Sequence, residues 1–317
     1  MSGVYDAGRT HIASNGEDVA LSQMIGKGRR GTEEDLFFIP AQRVLSLREG
    51  LTRPFTDYRA GDPFVVREFS EKLHHLVQSE FARSTALFPQ VKRLKREFRD
   101  LLSEHIFGGF GLKTDAEKFQ KRIVLVNPTS GASLPYLVWS AGQREFVPLL
   151  LGLYWLIPPT KVSRRGNLKW VVIEELEMGL HPNAISVVML LVLELLHRGY
   201  KVCVSTHSPH VLDVVWALQV MKRNQGSEQD VRDLFKLHAN PPTKALARNT
   251  LKKDYRVFFF KRDGTSADIS DLDTGADDSG ESGWGGLAEF SGNVGDIVAR
   301  VVARAEEQKS PAPEAAQ

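Results

Sequence analysis

Apolar positions are unevenly spaced along the 317 residues, and the spacing divides the chain into stretches of different character. Residues 1–35 are polar and glycine-rich, carry a basic knot at Lys27, Arg29 and Arg30, and show little periodicity before the apolar stretch 36–40. They predict a partly disordered lead-in to a strand. Over 65–106 the apolar residues return at helical spacing among dense charge, as in Leu94, Phe98, Leu101 and Leu102, which predicts two amphipathic helices broken near Pro89. Residues 110–139 follow Gly108 and Gly109 and are punctuated by Asn127, Pro128, Gly131 and Pro135, as expected of short antiparallel strands with turns.

The pattern then changes. An apolar helix over 143–157 ends at Pro158 and Pro159, a strand follows at 169–173, an apolar helix after His181, and a second strand at 201–205. Helix and strand alternation with apolar strands predicts an α/β fold, a mostly parallel sheet covered by helices on both faces. A further strand is predicted over 255–261, an acidic Gly/Ser loop over 263–286, a C-terminal helix over 287–306 and a disordered tail over 307–317. The core domain then spans 36–262, with the helical pair as an insertion and the antiparallel strands as a small separate segment.

Charge and cysteine content narrow the function classes. Forty-one Lys and Arg against 39 Asp and Glu leave a net charge of +2, so no global field advertises nucleic acid or an acidic membrane surface. The longest apolar runs, 146–157 and 185–196, are shorter than the ~20 residues a spanning helix needs. The single cysteine, Cys203, and the lack of a signal-like N-terminus favour the cytoplasm. Between Val202 and Val204, Cys203 is expected to be a buried strand residue without a catalytic or metal role.

Candidate chemistry sits at the strand ends. The strand at 169–173 delivers two adjacent carboxylates, Glu174 and Glu175, where open α/β sheets place ligands. One can hold magnesium and the other can polarise a water; a strand running into an exposed acidic turn is the plainer alternative. About thirty residues on, the strand at 201–205 ends in Thr206-His207-Ser208-Pro209-His210. There His207 can donate to a terminal phosphate, or Ser208 and Pro209 can simply start a helix, or His207 and His210 can pair on zinc without acidic ligands at suitable spacing. Ser140-Ala141-Gly142-Gln143 opens the apolar helix, as an anion site or only as a good cap. Asp271 to Gly275 superficially looks like a calcium loop, but its glycine comes one place early and no glutamate follows at the right distance.

In this order and spacing the three pieces resemble the ATPase heads of the ABC superfamily, in the soluble group related to structural-maintenance-of-chromosomes proteins, RecF and the overcoming-lysogenization-defect nucleases. The matches are Trp139-Ser140-Ala141-Gly142-Gln143-Arg144-Glu145 to the signature, Val171-Val172-Ile173-Glu174-Glu175-Leu176-Glu177 with Gly179-Leu180-His181-Pro182 to Walker B and the D-loop, and Ser205 to His210 to the switch. The resemblance is specific over 134–213 and extends back to Phe38-Ile39-Pro40-Ala41. It implies ATP and Mg2+ as cofactors, Glu174 on the metal, Glu175 as catalytic base and His207 on the γ-phosphate. Ser140, Gly142 and Gln143 would bind nucleotide held by a facing subunit, in a homodimer or heterodimer formed through the ATPase face. Leu176 departs from the proline usual in that group, and Pro148 is expected to kink the signature helix.

No stretch fits G-x-x-x-x-G-K-[ST]. Gly26-Lys27 is followed by Gly28, and in Gly111-Leu112-Lys113-Thr114 a leucine splits the pair. The expectation is therefore a P-loop supplied by another segment or a partner chain, or a non-catalytic head that docks onto a P-loop-bearing subunit. Relatives that resemble this chain serve in DNA repair or anti-phage defence. A nuclease reading rests only on Asp271 and Asp273 in a polar loop. DNA contact through Lys92, Arg93, Lys95, Arg96 and Arg99 competes with a plain solvated helix face, since Glu97 and Asp100 are interleaved.

Overall fold

A computed structural model describes residues 11–14, 17–20, 35–117, 120–159 and 163–309. Contacts divide the chain into two units, Met1–Asp35 and Leu36–Gln317. In the first, β1 (His11–Ser14) and β2 (Glu17–Ala20) form an antiparallel pair. The basic knot and Gly26-Lys27 lie outside the described residues.

The second unit begins with β3 (Leu36–Ile39), whose alternation buries Phe37 and Ile39. The short strands β4 (Leu47–Arg48) and β5 (Leu51–Thr52) pair antiparallel, and α1 (Phe64–His75) follows, extended by a π-helical turn Leu76–Glu80. The stretch predicted as two helices meeting near Pro89 is interrupted earlier and more widely. Strand β6 (Ala86–Phe88) leaves the helical path and pairs with β7, burying Leu87 and Phe88, before α2 (Arg96–Leu102) resumes. Strands β7 (Gly111–Glu117), β8 (Gln120–Val126) and β9 (Ser133–Leu134) complete a four-stranded antiparallel sheet in the order β6-β7-β8-β9.

Then come α3 (Ala141–Leu156), β10 (Trp170–Glu174), α4 (Pro182–His197) and β11 (Lys201–Ser205). Helix α3 continues through Pro148, which is buried within it. The apolar stretches become core: Phe146, Val147, Leu149 to Leu151, Leu153 and Tyr154 in α3, and Val187 to Leu193 in α4, join one cluster with Phe37, Ile39, Val171 and Ile173. Burying a side chain of this size contributes about 1.5–3 kcal/mol, so the α3 and α4 runs dominate the stability of this layer.

Strands β3, β10 and β11 form a parallel sheet in the order β11-β10-β3. Sheet and helices together are the α/β, P-loop-NTPase-like fold the sequence predicts. Helix α5 (Pro209–Arg223), α6 (Glu228–Leu234) and α7 (Pro241–Leu251) follow. Strand β12 (Phe258–Phe260) pairs antiparallel with β13 (Ser266–Asp268). Residues 263–286 differ from a solvated loop, because Ile269, Leu272 and Trp284 bury themselves with Leu212 in a second small cluster. After the one-turn α8 (Ser279–Ser282), α9 (Glu289–Lys309) ends the described chain. Among the described residues no helix is long and apolar enough to cross a membrane.

Candidate functional site

The site assembles where β3, β10 and β11 end. Parallel register sets Glu174 opposite Ser205, and the Glu175 N–H donates to the Ser205 carbonyl at 2.9 Å. Glu175 leaves the strand in the left-handed region, φ 43°. A non-glycine residue held there costs about 1–3 kcal/mol and persists only where its surroundings impose it, a pattern concentrated at functional sites. The turn separates the two carboxylates. Glu174 Oε2 accepts the N–H of Ala41 at 3.0 Å, just beyond β3. Glu175 Oε1 lies 3.8 Å from His207 Nε2, on an exposed imidazole.

Arg43 holds this turn from beneath. Fully buried, it donates from Nη1 to the Glu174 carbonyl and from Nη2 to the Glu175 carbonyl, both at 2.9 Å, and from Nε to the Glu145 carbonyl at 3.2 Å. Burial lowers its pKa, opposed by Glu145, Glu177, Glu175 and Glu174, and a guanidinium has enough reserve to stay charged. One cation thus ties α3 to the acidic strand end. Burial also raises the pKa of Glu145 against the pull of Arg43 and Arg144.

Glu177 organises the turn after β11. Its Oε1 accepts both the Thr206 hydroxyl and the His207 N–H at 2.7 Å, while its Oε2 is buried without a partner among the described residues. Thr206 in turn accepts the Ser208 N–H at 3.0 Å. Ser208 is the N-cap of α5 by position, yet its side chain makes no capping bond. Leu176, in the place of the proline usual in the resembled group, is fully buried.

At the start of α3, Ser140 and Gln143 form a capping box: the Ser140 hydroxyl accepts the Gln143 N–H and the Gln143 side chain accepts the Ser140 N–H. A Cβ on Gly142 would sit 2.7 Å from the Gly179 carbonyl oxygen, so glycine lets α3 touch the loop after β10. The structure therefore brings Glu174, Glu175 and His207 together and places Ser140, Gly142 and Gln143 at a helix start packed on the loop after β10. Arg43 and Glu177 were missed as functional residues by sequence reasoning. The available signal was a lone arginine four positions past an apolar strand, and a third acid in the run after β10.

Two further expectations change. Cys203 is exposed, although partial desolvation raises its pKa. The basic run does not present one face. Arg93 is buried, bonded to the carbonyls of Tyr154 and Ile157 and to Glu80, and Lys95 pairs with Glu194. Only Lys92 and Arg96 are exposed, Arg96 beside Asp100 at 3.6 Å, so the run is divided between buried and exposed positions.

A parallel sheet flanked by helices, with acidic side chains at its carboxyl end, defines the class of P-loop-NTPase-like proteins. A family model described as "AAA domain, putative AbiEii toxin, Type IV TA system" matches residues 52–213, just over half of the chain, and the chain belongs to this AAA domain family. No curated protein and no solved structure matches it.

Proposed function

We propose that this chain is the signature-, Walker B- and switch-bearing part of an ABC-type ATPase head, completed by a phosphate-binding loop from another segment or chain and hydrolysing ATP at a dimer interface. The observation that carries the reading is the strand end itself, where two adjacent carboxylates are turned to different tasks and one stands 3.8 Å from His207.

Glu174 fits a magnesium ligand. It is half-buried, Ala41 satisfies Oε2, and Oε1 has no protein donor among the described residues. Magnesium, when bound, neutralises charge on phosphate oxygens. Glu175 is left to accept a proton from a water at Oε1, with its backbone fixed by Ser205 and Arg43. His207, its N–H held by Glu177, presents its imidazole at the same edge as a donor to a terminal phosphate. Ser140, Gly142 and Gln143 face the nucleotide of the opposite subunit.

The two carboxylates are separable by experiment. In the complex completed with a P-loop-bearing partner, Glu175→Gln is expected to keep ATP binding, lower turnover by about a hundred-fold or more, and accumulate the closed dimer on size-exclusion chromatography. Glu174→Gln is expected to weaken magnesium-dependent nucleotide binding, because an amide is a poor ligand for a hard cation. If both variants bind and turn over ATP like the parent, the site is a docking surface and not a catalytic one.

A further inference from the structure

Helix α9 is apolar along one side, and that side faces solvent. At about 100° per residue, Phe290, Val294, Ile297, Val298, Val301 and Val302 fall within an arc of roughly 140°, a stripe wide enough to bury. In the structure these six side chains are between 42% and 79% exposed, and every residue from 289 to 304 is exposed. The helix also carries Gly292 and Gly295, neither with an atom within 4 Å of where a Cβ would stand. Glycine weakens a helix interior, and most helical stability comes from packing an amphipathic face, so α9 calls for a partner on its stripe.

The charges beside the stripe identify the partner. From 289 to 304 they are Glu289 and Asp296 toward the start and Arg300 and Arg304 toward the end, a balance of zero. A helix that lies on anionic lipid carries a basic polar face, which this one lacks. Arg300 and Arg304 donate from Nε to the carbonyls of Asp296 and Arg300 one turn back, and no carboxylate among the described residues pairs with either guanidinium. With acid near one end and base near the other, the helix complements its own reverse. Parallel pairing in register would set Glu289 on Glu289 and Arg300 on Arg300. Antiparallel pairing with Val294 on the second copy's Ile297 sets Phe290 against its Val301, and Glu289 beside its Arg300 and Arg304. That is the self-complementary contact a two-fold axis makes.

We propose that α9 is a self-association element, through which two copies of this chain pair antiparallel along the stripe from Phe290 to Val302. Two such stripes face to face remove on the order of 1,000 Å² from water, the lower bound for a specific interface, so the dimer is reversible. Five of the six stripe residues are Val or Ile, which are stiff at χ1 and lose little side-chain freedom on pairing. The contact needs no nucleotide and stands apart from the ATPase reading, whose dimer forms through Ser140, Glu175 and their neighbours.

The test is sedimentation equilibrium of the full chain without nucleotide, over about 1–100 μM, where an interface of this size dissociates. A monomer–dimer equilibrium is expected. Ile297→Glu places a charge at the centre of the seam, on a side chain already 52% exposed, so the core keeps its near-UV circular dichroism. It is expected to raise the dissociation constant about a hundred-fold or more. Glu289→Arg, and separately Arg300→Glu with Arg304→Glu, set like charges across the antiparallel pair, and each is expected to weaken the dimer about ten-fold. Mixing those two chains is expected to restore dimerisation, because the charges again oppose. A chain that stays monomeric at 100 μM overturns the proposal; if that monomer sediments with phosphatidylserine vesicles, lipid is the cover instead. A dimer that Ile297→Glu leaves intact, or one that forms only with ATP, overturns it as well and points to another face. A Glu289→Arg chain that dimerises as tightly as the parent overturns the antiparallel pairing, since Glu289 then does not face the arginines.

Discussion

Arg43 donates three hydrogen bonds to main-chain carbonyls of Glu145, Glu174 and Glu175 from a fully buried position. Arg43→Met keeps much of the volume and strands those acceptors, which is expected to cost about 3 kcal/mol or more, since each buried unsatisfied group costs about 1–3 kcal/mol. Urea unfolding midpoints measure it; a change under about 0.5 kcal/mol would show that the turn is held by other means. Glu174, Glu175 and His207 were legible in the sequence because strands ending in acids or histidine announce themselves by position. Arg43 was not, because nothing in a single sequence separates a buried arginine from a surface one. Its role exists only once β3 and β10 lie side by side.

At the scale of elements, Gly142 and Gly179 make α3 and the loop after β10 touch. Gly142→Ala places a methyl 2.7 Å from a carbonyl oxygen and must move backbone, an expected cost of about 1–3 kcal/mol in thermal unfolding. An unchanged melting temperature would show that the contact yields freely. The helix–strand alternation over 141–205 was readable from apolar spacing, whereas the interruption at β6 was not, because Ala86 to Phe88 becomes a strand only through pairing with β7. Likewise Trp284 and Leu272 looked solvated amid Asp, Ser and Gly until Leu212 supplied a partner.

The end of α1 shows how charge binds elements together. Burial alone would raise the pKa of Glu80, but hydrogen bonds from Arg93 and Arg165 outweigh it and hold the carboxyl below its ordinary value. A carboxyl lowered in this way contributes stability that is present above its unfolded value of 4.5 and is lost as pH falls through the folded value. Glu80→Gln is therefore expected to cost about 1–3 kcal/mol near neutral pH, with the gap to the parent closing below pH 4.5. A gap that stays constant with pH would exclude the ion pairs as its source.

At the scale of the whole molecule, the near-neutral chain carries an acidic, histidine-flanked strand end without a phosphate cradle in its sequence. The chain alone is thus expected to bind ATP weakly, since the backbone donors of such a loop supply most phosphate affinity. Calorimetry showing a magnesium-dependent Kd of about 1 μM or better for the isolated chain would contradict this. The central claim is that Glu175 activates water in an ATPase whose phosphate-binding loop comes from another segment or chain. Steady-state, magnesium-dependent ATP turnover by the chain together with a P-loop-bearing partner, compared with each component alone and with the Glu175→Gln complex, tests it most directly. The account predicts turnover only when both components are present and a fall of about a hundred-fold or more on substitution; turnover by the Glu175→Gln complex equal to that of the parent would contradict it.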